Sequence, residues 1–206
     1  VAVFLPKCIE AVIANIAIMK SANIFMNLDV KTPGQRLSNI VDLIEPVLII
    51  TDVKNVELIN EVSGKIPILI IDDVNWEENI NKETVKQQWS SVIDTDPFCI
   101  INTSGSTGTP KGVVLNHLSF LDFIYRSHEA FNIGENEIMG SLSPLVFDIY
   151  VLELCMLMYR SATIVLLPAH LSAFPVKILK IMQQQHVTFI FWVPTIMVNI
   201  ANMGLL

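Results

Sequence analysis

The 206-residue chain carries 13 Lys and Arg against 20 Asp and Glu, a net charge of −7, and is 52% hydrophobic. That length can bury one core or part of a larger one, and scattered cations on an acidic chain exclude a basic stripe for nucleic acid. Cys8, Cys99 and Cys155 lie far apart and the His are scattered, so no side-chain metal site is predicted; such thiols fit a reducing cytoplasm, and no basic leader opens the chain.

Residues 7–20 place apolar side chains at 9, 12, 13, 16 and 17, a helical stripe. A short strand is predicted at 24–28. Thr32 is the expected cap of the next helix, with Pro33 at its first position and Gln35 placed for a capping box. That helix runs to about Ile44 and stops at Pro46. Val47-Leu48-Ile49-Ile50 reads as a strand covered on both faces. A helix over 53–62 and a buried strand over 67–71 follow. This alternation predicts a mostly parallel α/β sheet flanked by helices. The polar, acidic stretch 72–96 is expected to be an exposed connection.

Beyond it, Phe98-Cys99-Ile100-Ile101 and Val113-Val114-Leu115 are strand-like runs on either side of Asn102-Thr103-Ser104-Gly105-Ser106-Thr107-Gly108-Thr109-Pro110-Lys111-Gly112. Hydroxyls and glycines bury no apolar surface, so packing does not explain the loop. Glycines let backbone N–H groups approach a ligand, small hydroxyls add donors, and Lys111 adds a full positive charge. The composition alone also suits a surface turn. The spacing is not that of a Walker A loop, since Pro110 stands where its second glycine belongs and Gly112 follows the lysine.

The later elements are a helix at 117–131, a strand at 139–143, a helix at 146–158 and a strand at 163–167. A helix at 176–185 and a strand at 188–192 come next. Residues 187–206 hold no charge and are long enough to span a bilayer. Pro194, Asn199, Asn202 and Gly204 interrupt them, so a strand followed by a helix opening at Pro194 is the reading adopted.

The unbroken run from Thr103 to Gly112 resembles the phosphate-binding core T-S-G-S-T-G-x-P-K-G of the adenylate-forming enzymes; Asn102 replaces the common Tyr. Met19-Lys20-Ser21-Ala22, Leu28-Asp29, Pro33 and Arg36-Leu37 are similar to an earlier block of the same family. The resemblance implies that Thr103, Ser104, Gly105, Ser106, Thr107, Gly108 and Lys111 hold the phosphates of ATP, accompanied by Mg²⁺. It also implies that residues 1–206 form part of the family's large N-terminal domain, without the adenine-site and ribose-site blocks or the C-terminal subdomain, and that the chain alone is inactive.

Phe147-Asp148-Ile149-Tyr150-Val151-Leu152-Glu153 resembles the F-D-x-S-x-x-E block of amino-acid-activating members, with Tyr150 in place of a small residue. On sequence alone Asp148 suits a solvated acid at a helix start equally well. The resemblance implies that it pairs with a substrate ammonium, that Phe147 gates the pocket, and that Ile149, Leu152 and Phe191 line it. Ordinary core packing is the alternative for those apolar residues. The set resembles alanine- and glycine-activating domains of nonribosomal peptide synthetases and D-alanine–carrier protein ligases. The implied reaction activates a small amino acid as aminoacyl-AMP, then passes it to a phosphopantetheine carrier protein, in the cytoplasm. An acyl-CoA-type acid–thiol ligase and a non-catalytic nucleotide-binding remnant are the other readings.

Overall fold

The computed structural model describes residues 1–78, 80–104, 110–131 and 133–205, without the side chains of Ser104, Pro110 and His128. The chain forms two compact units, residues 1–121 and 122–206.

In the first unit, β1 (Ala2–Phe4), β2 (Met26–Asn27), β3 (Ile49–Thr51) and β4 (Ile68–Ile70) form a parallel sheet in the order β2-β1-β3-β4. α1 (Ile9–Lys20), α2 (Gly34–Ile44) and α3 (Val56–Ser63) make the crossovers. The inner strands β1 and β3 are buried throughout, as strands covered on both faces are, whereas the edge strand β4 is partly exposed. Phe4, Met26, Leu37, Ile40, Ile49 and Ile59 form the core. Each such side chain, fully buried, contributes about 1.5–3 kcal/mol. Thr51 is polar yet fully buried; its hydroxyl donates to the Phe4 carbonyl at 2.9 Å, which removes the cost of burying it.

Two local expectations are corrected. Thr32 does not cap α2: Pro33 occupies the N-cap position with no side-chain cap. Asp29 turns the chain instead, its carboxylate accepting from Lys31 N at 2.9 Å and its carbonyl from Thr32 N at 2.9 Å. Gln35 Nε2 donates along the helix to Asn39 Oδ1, so the capping box is absent. The 72–96 connection also contains a helix, α4 (Lys82–Ser90), which buries none of its residues. Asn81 caps it, accepting from Glu83 N and Thr84 N, both at 3.2 Å.

β5 (Pro97–Ser104) and β6 (Pro110–Asn116) pair as an antiparallel ribbon that brackets the glycine-rich loop. α5 (His117–Phe131) begins in the first unit and continues into the second.

In the second unit, β7 (Ile138–Ser141), β8 (Thr163–Leu166) and β9 (Phe189–Ile190) form a parallel sheet ordered β8-β7-β9. α6 (Asp148–Arg160) and α7 (Pro175–Gln184) connect the strands, and α8 (Pro194–Asn202) follows. Leu142, Leu167, Leu171, Ile178, Ile196 and Ile200 are its core. Gly140 leaves room at the centre: a Cβ there would stand 3.0 Å from Ile190 Cδ1 and 3.2 Å from Val187 Cγ1. The uncharged stretch divides as expected into β9 and α8. Among the described residues no helix is long and apolar enough to cross a membrane.

Candidate functional site

The ribbon fixes the two ends of the glycine-rich loop. Thr103 stands directly opposite Lys111, and Ser104 opposite Pro110. Opposed residues of an antiparallel pair project to one face, so the Thr103 hydroxyl and the Lys111 ammonium share a side. Thr103 Oγ1 donates to the Lys111 carbonyl at 3.4 Å, and both residues are exposed. An exposed lysine at a loop mouth needs no partner within the fold and is available to an anion. Gly105, Ser106, Thr107 and Gly108, four of the expected phosphate ligands, lie outside the described residues, as does the side chain of Ser104.

Gly112, the last residue of the motif, has a packing reason for being glycine. A Cβ there would meet Ile100 Cγ2 and Ile44 Cδ1, each at 3.0 Å. The ribbon packs against α2 at this point, so the motif's end belongs to the scaffold as much as to the loop.

The expected substrate residues fall in the second unit. Phe147 is the N-cap of α6, extended at φ −104°, ψ 157°, and 53% exposed. Asp148 is the first helical residue; its Oδ1 accepts from Ile149 N at 2.9 Å. It is exposed, so the cost of burying a carboxylate does not arise. The positive end of a helix favours an acid here. By helical spacing Leu152 neighbours Asp148 four residues back and Ile149 three residues back. Ile149 is half-buried and Leu152 is buried.

Phe191 follows β9, on the other side of β7 from β8. Its half-buried ring meets Phe189 edge-on at 4.8 Å and Phe131 at 5.7 Å. Phe147, Asp148, Ile149 and Leu152 thus lie at the start of α6, and Phe191 lies in an aromatic cluster with Phe189 and Phe131.

One residue pair was not singled out from the sequence. Glu153 and Ser141 are both fully buried, and the Ser141 hydroxyl donates to Glu153 Oε2. This bond ties α6 to β7 one turn beyond Asp148. The signal was available: an acid on the apolar side of a helix requires a buried donor, and Ser141 ends the preceding strand.

The AMP-binding enzyme family model matches residues 1–206. The chain belongs to the AMP-binding enzyme family. It is 32% identical over 166 residues to the dimodular nonribosomal peptide synthase of Bacillus subtilis (strain 168), covering 81% of this chain and 7% of that protein. It is 26% identical over 203 residues to gramicidin S synthase 1 of Brevibacillus brevis, covering 97% of this chain and 18% of that protein. Among solved structures, a four-domain nonribosomal peptide synthetase bound to AMP and glycine superposes with a TM-score of 0.77 at 22% identity, covering 95% of this chain and 14% of that one. The o-succinylbenzoate coenzyme A synthetase of Bacillus subtilis, in complex with AMP, gives 0.79 at 17% identity, covering 98% and 51%. The AMP-binding enzyme chain therefore shares this fold and spans only a small part of the length of the peptide-synthase relatives it matches.

Proposed function

We propose that this AMP-binding chain contributes part of the N-terminal domain of a ligase that activates a small amino acid, alanine- or glycine-like, as aminoacyl-AMP. The activated acyl group then passes to a phosphopantetheinylated carrier protein. The observation that carries the substrate reading is Asp148, an exposed carboxylate at the first turn of α6 beside apolar Ile149 and Leu152. A carboxylate pairs with an ammonium, and apolar walls offer no partner to a polar side chain. The peptide-synthase relatives support the same class.

In the proposed reaction a substrate carboxylate oxygen attacks the α-phosphorus of ATP, and the bond to pyrophosphate breaks. Lys111 offsets charge on the departing pyrophosphate, and Thr103, Ser104, Ser106 and Thr107 donate to phosphate oxygens with the loop N–H groups. Mg²⁺ arrives with the nucleotide. It spreads the phosphate charge when bound.

The test is ATP–pyrophosphate exchange by the complete enzyme containing this segment. Exchange driven by small apolar amino acids is expected. Exchange driven by fatty or aryl acids, and not by amino acids, would select an acyl-CoA-type ligase. No exchange with any acid, despite nucleotide binding, would select a non-catalytic remnant.

A further inference from the structure

Seven consecutive residues of α6, Tyr150 to Met156, are buried. Seven positions make almost two turns, so this part of the helix is covered on every side. Apolar burial has no direction, and a helix covered all round has no single stripe to fix its rotation about its own axis. Glu153 is the one acid in the run. Its Oε2 accepts from the Ser141 hydroxyl, and both residues are fully buried. A hydrogen bond is directional, and a buried carboxylate turned away from its donor is costly. The bond therefore selects one rotation of α6 among those that apolar contacts alone would tolerate.

The donor side is itself held in place. Ser141 is the last residue of β7 and pairs with Leu166 of β8; its carbonyl accepts from Leu167 N at 2.8 Å. Between Ser141 and Glu153 runs the segment that carries Phe147, Asp148, Ile149 and Leu152, so the bond closes that segment at both ends. Asp148 and Glu153 are five residues apart, which is about 140° around a helix. Holding Glu153 against β7 thus keeps Asp148 on the exposed side. We propose that Ser141 and Glu153 are positioning residues for amino-acid selection: their buried bond sets the rotation of α6 and so aims the Asp148 carboxylate at the substrate ammonium. Neither residue is exposed, so both act through the helix and not on the substrate. This role rests on the reading of Asp148 as the substrate acid.

The test measures ATP–pyrophosphate exchange by the complete enzyme, driven by alanine or by propionate, well below the melting temperature of each variant. The ratio of the two kcat/KM values does not depend on the fraction of enzyme that is folded, so a merely structural loss leaves it unchanged. In Ser141→Ala and in Glu153→Met the ratio should fall about tenfold or more, since a misplacement of about 1 Å can cost about 10²-fold. The fall should appear as a raised KM for alanine with the KM for ATP unchanged. Glu153→Gln keeps an acceptor for the hydroxyl and should retain most of the ratio. The double variant Ser141→Ala/Glu153→Met should lose no more than either single variant, because each removes the same bond. If Glu153→Met does not fold, Ser141→Ala and Glu153→Gln carry the test. A wild-type ratio in Ser141→Ala, a fall in Glu153→Gln as large as in Ser141→Ala, or losses that add in the double variant would overturn the positioning role and leave Asp148 as the substrate acid. A wild-type enzyme that does not prefer alanine to propionate would instead remove the substrate reading of Asp148, and the positioning role with it.

Discussion

The β5–β6 ribbon and the first turns of α6 carry the two halves of the candidate chemistry, and they carry it differently. In the ribbon, Thr103 and Lys111 are exposed and tie to each other only through a backbone carbonyl. Little of the core depends on their side chains. In α6, exposed Asp148 stands five residues from fully buried Glu153, and buried Leu152 lies between them. One helix thus combines a solvent-facing acid with an acid fastened to the sheet. The contrast teaches that exposed side chains of the ribbon can be changed with little effect on the core, whereas in α6 an exposed acid and a buried, bonded one share one helix.

The largest expected effect probes the ribbon. Lys111→Ala in the complete enzyme should lower ATP–pyrophosphate exchange about 10²–10³-fold, the scale seen when one charge-stabilising donor is lost. The melting temperature of the 206-residue chain should not change. A comparable loss of stability would erase the contrast. Next, Ser141→Ala should cost about 1–3 kcal/mol in a denaturant titration, because it removes a donor from the buried Glu153 carboxylate. A neutral result would mean that the buried acid does not anchor α6.

The smallest effect concerns pH in the first unit. The His117 ring packs against Phe98 at 5.2 Å and Trp89 at 6.2 Å. Its burial lowers its pKa, against a smaller opposing pull from Asp96. The unfolded chain therefore takes up this proton first. The stability involved is present above the ordinary histidine pKa of about 6.5 and is lost as pH falls through it. His117→Phe should flatten the fall in melting temperature between neutral pH and pH 5; an unchanged slope would assign that fall to other groups.

Much of the fold was legible because apolar periodicity and strand runs report core contact directly. The helix 117–131 was read to its ends, and Pro194 marked the start of α8. α4 was missed because a helix that buries nothing has no stripe to read; Asn81, two residues before Glu83, was the remaining sign. The start of α2 was misread because Asp29 competes successfully for the turn that Thr32 was expected to make. At the candidate site, the residue types were visible and their exposure was not. Nothing in Phe147-Asp148-Ile149 says that the acid faces water while Leu152, on the same side, is buried. The Ser141–Glu153 bond spans two elements, so it appears only once β7 and α6 are packed.

The most direct test of the central claim is a comparison of alanine with propionate, its analogue without the amine, in ATP–pyrophosphate exchange. The complete enzyme should prefer alanine strongly, and Asp148→Asn should abolish that preference while propionate-driven exchange is unaffected. A preference for alanine that survives in Asp148→Asn would contradict the pairing of this carboxylate with a substrate ammonium.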